Sequence, residues 1–228
     1  MRTRRVQDMG KHFGNMQKIR NGKRTYGITP HIRGGFIRPE DLEKIAVVAK
    51  KYNAALKITS GQRILLSNLK EEDLNDIWEE LGMEPAVEVQ NSVKNVEICP
   101  AGLCKRVKYN TIGLGMKLSR KYQKMKMPCR TKIGVAGCRN ACGSVYSKDI
   151  GVIADVNGLM MVTAGGSAGF HPRLADILVR DLNEEEVLVY IDSLVRHYQE
   201  IAEEGEKLGH LIDRIGLSEF QAGLEKVK

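Results

Sequence analysis

The sequence predicts an α+β fold in which a compact β-α-β-β-α half is followed by a larger mixed α/β domain. A chain of 228 residues is long enough to bury a core without disulfides. Short apolar runs alternate with stretches of helical periodicity up to Pro85. Beyond Pro85, strands run into turns that contain cysteine and glycine. We therefore predict a basic segment over residues 1–21, the first half over 22–85 and the larger domain over 86–228.

The elements of the first half follow from short-range signals. A strand at 25–28 leads to a helix that begins at Pro39, because proline fits a first turn and acidic residues favour the positive helix end. Two strands, at 56–59 and 64–66, precede a second helix at 71–81. Apolar residues at helical spacing give each helix a buried face: Leu42, Ile45, Ala46 and Ala49 in the first, Leu74, Ile77, Trp78 and Leu81 in the second.

The larger domain shows equally local signals. Asn157-Gly158 is a strong hairpin signal, and Asn183 with Glu186 forms a capping-box pattern at a helix start. The predicted strands are 93–98, 132–135, 150–156 and 159–164, and the predicted helices are 111–125, 183–203 and a last one from 218.

Net charge, aromatic content and the length of apolar runs limit the kinds of molecule that the chain could bind. The net charge of +8 implies an anionic partner. Aromatic residues make up only 5% and do not interleave with the basic ones, which argues against nucleic acid. No apolar run approaches the roughly 20 residues of a membrane span. The basic N-terminus lacks the apolar core of a secretory signal, so we expect a cytoplasmic protein with reduced thiols.

Five cysteines stand at positions 99, 104, 129, 138 and 142. Four of them form two close pairs, and each pair follows a predicted strand in a turn where backbone N–H groups can point at sulfur. The spacing favours an iron–sulfur cluster. It leaves zinc and unligated buried cysteines as alternatives, whereas a disulfide is disfavoured in a cytosolic chain.

Three segments carry a resemblance to a known family. Residues 128–153, PCRTKIGVAGCRNACGSVYSKDIGVI, resemble the cluster-and-siroheme motif of the nitrite and sulfite reductase family. TSGQRILLSNL at 59–69 resembles the T-x-R-Q segment of its ferredoxin-like half, and Gly165-Gly166 with 171–175 resembles its glycine pair and following helix. The size resembles that of small single-repeat sulfite reductases. The resemblance implies a ferredoxin-like N-terminal half followed by a siroheme- and [4Fe–4S]-binding domain.

The resemblance also implies a cofactor arrangement. Cys99, Cys104, Cys138 and Cys142 would ligate the [4Fe–4S] cluster, and the sulfur of Cys142 would bridge to the siroheme iron. Electrons would pass from cluster to siroheme through this shared thiolate. The carboxylates of siroheme offer an explanation for the positive net charge. We expect Cys129 to be a buried thiol or one beside the cluster, with a ligand role as the alternative.

Two cations in the motif are candidate catalytic residues. Arg130 and Lys132 alternate on one strand, so both side chains face the same side. By resemblance they lie over the open face of siroheme, where they would bind the substrate anion and favour proton delivery. The alternative is a solvated strand face. By the same resemblance, Thr59, Gln62, Arg63 and Asn140 are expected to contact the cofactors. Lys105, Arg106 and Arg139 flank the cluster cysteines and are expected to pair with siroheme carboxylates, although Arg139 replaces the usual proline of the family. Arg33 is a candidate to supply the charge of a family arginine that this chain lacks.

The expected function is the six-electron reduction of sulfite to sulfide, with electrons from a ferredoxin-like donor. Reduction of nitrite to ammonia is the nearest alternative. Gly61 stands where the family has an arginine, which favours a second alternative, a non-catalytic redox subunit. A zinc-stapled nucleic-acid-binding protein is a third. Because single-repeat members must complete a site that longer relatives build from two repeats, a homo-oligomer is plausible.

Overall fold

A computed structural model describes residues 13–20 and 22–226 of the chain. The chain divides into two compact units, residues 1–90 and residues 91–228. Within the described residues, every helix is too short or too polar to cross a lipid bilayer.

The first unit is an antiparallel sheet with two helices. Its strands pair in the order β1-β2-β4-β3. Its apolar core joins Ile28 and Leu66 of the sheet to Ile45 and Ile77 of the helices. The elements are β1 (Asn15–Arg20), β2 (Lys23–Ile28), α1 (Pro39–Lys51), β3 (Ala55–Ile58), β4 (Ile64–Leu69) and α2 (Leu74–Leu81).

This unit differs from the prediction in two details. The sequence does not predict β1, because its residues form a basic edge strand on which Met16 and Ile19 remain exposed. Leu42, expected inside, is 44% exposed, because the buried face of α1 is set by Ile45, Val48 and Ala49. A ferredoxin-like half was predicted and is confirmed.

The second unit is built on a five-stranded mixed sheet in the order β5-β6-β7-β8-β9. The strands β5, β6 and β7 are parallel to one another, whereas β8 pairs antiparallel with both β7 and β9. The strands are β5 (Val93–Ile98), β6 (Thr131–Ala136), β7 (Ile150–Ala154), β8 (Met160–Ala164) and β9 (Asp176–Leu182). The helices are α3 (Ile112–Tyr122), α4 (Glu184–Ile201), α5 (Leu208–Ile215) and α6 (Leu217–Lys226).

The two faces of this sheet differ in character because side chains alternate along each strand. One face carries apolar residues such as Ile133 and Val152, which pack against helix residues such as Leu114 and Leu194. The other face carries polar and small residues together with a smaller apolar cluster that includes Ile153 and Met161. At Gly134, a Cβ would lie 2.9 Å from Lys148 Cγ and 3.3 Å from Val145 Cγ2, so the missing side chain lets residues 145–148 pack over the strand.

Several predicted features of the second unit are confirmed. Gly158 turns the β7–β8 hairpin with a φ of 82°, and Asn183 with Glu186 forms a complete capping box at the start of α4. The prediction of a helix after Gly165-Gly166 is wrong. Residues 171–175 are irregular and lead into β9, because Pro172 cannot donate a backbone hydrogen bond and disfavours helical backbone before it.

Candidate cluster and cofactor site

The paired cysteines lie at the carboxyl ends of two neighbouring parallel strands. Cys99 follows β5 directly, and its N–H donates to the carbonyl of Val135 in β6 at 3.0 Å. Cys138 stands two residues beyond the end of β6. Because parallel strands end at the same edge of a sheet, the two cysteine-containing loops start side by side.

The two loops touch at Gly137. Its N–H donates to Cys99 Sγ at 3.2 Å. A Cβ at Gly137 would lie 2.7 Å from the Cβ of Ala101 and 2.8 Å from Cγ1 of Val107, both in the first loop. Real Cβ atoms do not approach so closely, so a glycine is needed here for the loops to meet.

The four thiols are close enough to influence one another. Burial raises the pKa of the Cys99 thiol, and the charges of Cys138, Cys142 and Cys104 raise it further, against the N–H of Gly137, which lowers it. Such mutual repulsion is relieved when thiolates bind iron.

Exposure and hydrogen bonding differ among the four thiols. Cys104 and Cys142 are exposed, whereas Cys99 and Cys138 are half-buried. The side-chain amide of Asn140 donates to Cys142 Sγ at 2.9 Å. One thiol in each loop is therefore open to solvent, and two of the four sulfurs already accept hydrogen bonds from N–H groups.

Four thiols on two adjoining loops form the donor set that a [4Fe–4S] cluster needs. Among residues 13–20 and 22–226, no three Cys, His, Asp or Glu side chains are grouped as ligands of a single metal ion.

Cys129 lies elsewhere. It directly precedes Arg130 at the opposite end of β6, and burial raises the pKa of its thiol. The charges that act on it belong to Lys207, Asp149 and Arg130. The structure does not bring it to the other four cysteines.

Arg130 and Lys132 stand together at the start of β6. Burial lowers the pKa of Lys132, and the neighbouring charges of Lys148 and Arg130 lower it further, while Glu97 and Asp149 oppose the shift. Arg130 is exposed. Four residues of strand, about 13 Å, separate Lys132 from Ala136, the β6 residue level with Cys99. The structure therefore brings the two cations together but not to the cysteines of the same chain.

Sequence reasoning missed three buried charges around Lys132. Glu97 and Lys148 form an ion pair of 2.6 Å between side chains only 5% and 9% exposed. Asp149 is buried, and its Oδ2 accepts the backbone N–H of Lys132 at 2.8 Å. Two sequence signals indicate these charges. One is the carboxylate of Glu97 within an otherwise buried strand end, and the other is Asp149 in the motif segment 128–153, directly before a buried strand.

The remaining predicted residues fall into two groups. In the first unit, the N–H and hydroxyl of Thr59 donate to the carbonyl of Arg63 at 2.8 and 3.1 Å, closing a turn in which Gln62 has a φ of 58°. Gly35, in the same short turn as Arg33, approaches the Gln62 side chain. In the second unit, Lys105, Arg106 and Arg139 are exposed on the cysteine loops.

Two segments of the chain match domains of one family. Residues 17–84 match the nitrite/sulfite reductase ferredoxin-like half domain, and residues 89–228 match the nitrite and sulphite reductase 4Fe-4S domain. The chain therefore belongs to the nitrite and sulphite reductase family, as its motifs indicated.

Relatives within the family include both nitrite reductases and sulfite reductases. The chain is 34% identical to a nitrite reductase [NAD(P)H] of Bacillus subtilis over 88% of its own length, but it spans only 25% of that protein. It is 29% identical to an assimilatory-type sulfite reductase of Nitratidesulfovibrio vulgaris over 87% of its length, and spans 92% of that protein. The NirA protein of Mycobacterium tuberculosis shares the fold, with a TM-score of 0.77 at 17% identity over 89% of this chain and 40% of that one.

Family membership implies a [4Fe–4S] cluster and siroheme as cofactors. The residues present fit the cluster, because four thiols on adjoining loops are served by N–H donors from Gly137 and Asn140. They also fit an anionic tetrapyrrole, since Lys105, Arg106 and Arg139 leave their positive charges exposed beside the thiols.

Proposed function

We propose that the chain is a siroheme-dependent reductase that converts sulfite to sulfide with six electrons. The observation that carries the proposal is the placement of four cysteines on the adjoining ends of β5 and β6. Sulfite is favoured over nitrite because this chain spans 92% of a protein named sulfite reductase, whereas it spans 25% of the nitrite reductase from B. subtilis.

In this proposal Cys99, Cys104, Cys138 and Cys142 would hold the cluster, and Cys142 would also be a ligand of the siroheme iron. When bound, the two groups supply single electrons to the substrate. Asn140 stabilises the thiolate of Cys142 by donating to its sulfur.

Charged residues bind the cofactor and the substrate. Lys105, Arg106 and Arg139 pair with siroheme carboxylates. Arg130 and Lys132 bind the oxyanion and stabilise the charge that develops as S–O bonds break. The turn residues Arg33, Thr59, Gln62 and Arg63 contribute further cofactor contacts.

We propose that the enzyme acts as a homo-oligomer. In each site, the cluster cysteines come from one copy, and Arg130 and Lys132 come from another copy. The support is the separation of Lys132 from the cysteines along β6, about 13 Å of extended chain. Mixing Lys132→Met chains with Cys142→Ala chains tests this. Shared sites predict that the mixture regains up to about a quarter of the activity, as random pairing leaves one intact site in half of the dimers. A mixture as inactive as its components would contradict it.

A ferredoxin-like protein is the proposed electron donor. Cys104 is exposed, and a chain with a net charge of +8 suits an acidic redox protein as its electron donor. Charge pairing of this kind raises the association rate and weakens with salt. Transfer from a reduced plant-type ferredoxin should therefore slow as salt increases, and a rate that does not respond to salt would count against this partner.

Anaerobic steady-state assays with cofactor-loaded protein and reduced viologen test the main proposal. We expect sulfide from sulfite, with a higher kcat/KM than for nitrite. Ammonia from nitrite alone would identify a nitrite reductase.

A second candidate function, a non-catalytic redox subunit, is favoured by Gly61 at the family's arginine position. Turnover of neither anion by protein that carries both cofactors would support it. A gain of turnover in Gly61→Arg would instead indicate a weakened enzyme.

A further inference from the structure

A small cavity lies at the end of the second unit where β6 and β7 begin. Its volume is about 140 Å³, enough for several ordered waters. It runs from exposed His171 and His210, whose ring centroids are 6.5 Å apart, to buried Asp149. Half-buried Lys207 and Ser167 line it between these ends, with Lys207 Nζ 3.5 Å from the serine hydroxyl.

Asp149 lies between this cavity and the backbone of β6 at Lys132. Its side chain is buried, with 6% of the residue exposed, and Oδ2 accepts the backbone N–H of Lys132 at 2.8 Å. Its carbonyl accepts the N–H of Gly165, which fixes the residue at the cavity wall. One carboxyl group thus contacts the strand that carries Lys132 and also borders a cavity that reaches solvent-exposed imidazoles.

The titratable groups around Asp149 come from several elements, and the cavity lining adds the ion pair of Arg173 and Asp213. Lys132 lies on β6, Lys207 precedes α5, Cys129 precedes β6 and Tyr198 lies on α4. Burial raises the pKa of Asp149, although the N–H of Lys132 and the charge of Lys207 lower it. A carboxyl whose pKa is raised holds its proton closer to neutral pH than an exposed one.

We propose that Asp149 is a proton relay that transfers protons from the water in this cavity to the Lys132 amine. Reduction of hydrogen sulfite to hydrosulfide breaks three S–O bonds and forms three waters. It consumes six protons and six electrons, and the electrons come from the one-electron donor. Five of these protons join the hydroxyl hydrogen of hydrogen sulfite on the three departing oxygens, and the sixth goes to sulfur. Each passes from the Lys132 ammonium, and the Asp149 carboxylic acid then reprotonates the amine.

Cavity water reprotonates the Asp149 carboxylate in turn. His171 and His210 are exposed and line the end of the cavity where that water meets bulk solvent. The relay rests on the proposed role of Lys132 in binding the substrate.

Asp149→Asn in the cofactor-loaded enzyme tests the relay, because the amide oxygen still accepts the Lys132 N–H but the side chain cannot carry a proton. We expect kcat to fall on the order of 10²-fold with KM nearly unchanged. The fall of kcat with rising pH that reports ionisation of Asp149 should also disappear. An unchanged kcat and pH profile would overturn the relay.

Asp155→Asn is the matched control. Asp155 Oδ1 also accepts backbone N–H groups, from Asn157 and Leu159, but it lies past the opposite end of β7. It should retain full activity. A loss as large as that of Asp149→Asn would show a general effect of removing a carboxylate and overturn the relay.

Infrared difference spectroscopy supplies a readout that does not depend on turnover. As the pH falls, the wild type should show a protonated carboxyl band at a higher pH than exposed carboxyl groups do, and this band should be absent in Asp149→Asn and present in Asp155→Asn. A wild type with this band but no turnover of either anion would overturn the proposed function and leave the protonated Asp149 standing. Turnover without the band would overturn the relay alone.

Discussion

The two ends of β6 hold their functional side chains in opposite ways. At the carboxyl end, thiols in partly exposed loops are positioned by backbone N–H groups and by the close approach of Gly137. At the amino end, Lys132 lies among buried charges from other strands and loops, namely Glu97, Lys148 and Asp149. The positions of the thiols at the carboxyl end depend on local backbone geometry, so a short sequence motif predicts them. The arrangement at the amino end depends on side chains that meet only after folding.

The largest effect is expected from changing a cluster ligand. Cys99→Ser should lower the iron content of anaerobically purified protein from about four atoms per chain to below one, because a half-buried ligand thiolate is lost. Cys129→Ser is the control and should keep its iron, since Cys129 lies at the other end of β6. Full iron in Cys99→Ser, or iron loss in Cys129→Ser, would contradict the assigned ligand set.

A change at the amino end should act on folding stability instead. Glu97→Ala should lower the free energy of unfolding by about 3–5 kcal/mol, because it leaves Lys148 buried without its carboxylate. Urea denaturation of the cofactor-free chain measures this. The double variant Glu97→Leu with Lys148→Met should recover most of the loss, since no buried charge remains. A single variant as stable as the wild type would show that the pair is solvated.

A smaller effect is expected where the cysteine loops touch. Gly137→Ala should cost about 1–3 kcal/mol of stability and weaken iron retention, because the new methyl group forces the loops apart at Ala101 and Val107. Gly143→Ala, beside Cys142, is the matched control, because a Cβ there meets nothing within 4 Å. Equal behaviour of the two variants would mean that the contact at Gly137 is unimportant. Iron per chain and urea midpoints measure both effects.

The smallest effect is expected away from both ends of β6. Asn183→Ala removes one half of the capping box of α4 and should lower stability by about 1 kcal/mol without changing iron content. Asn183→Asp retains an oxygen that accepts the N–H of Glu186 and should stay close to the wild type. Thermal unfolding with an iron assay checks both, and iron loss in Asn183→Ala would show that the cluster depends on the whole unit.

The sequence predicts the carboxyl end of β6 much better than the amino end. The strand, the glycine turn and the paired cysteines are contiguous, so local rules and a family motif suffice for them. Glu97 and Lys148 are far apart in sequence, and their pairing depends on Gly134 leaving space for the lysine stem between them. The sequence analysis predicts neither β9 nor α5, and Pro172 disfavours the helix that the motif suggested.

Native mass spectrometry after anaerobic reconstitution with iron and sulfide tests the central claim most directly. The account predicts that each chain gains the mass of one cluster of four irons and four sulfides, and that Cys129→Ser gains the same mass. A chain that takes up no iron but binds one zinc ion at the same four cysteines would contradict it.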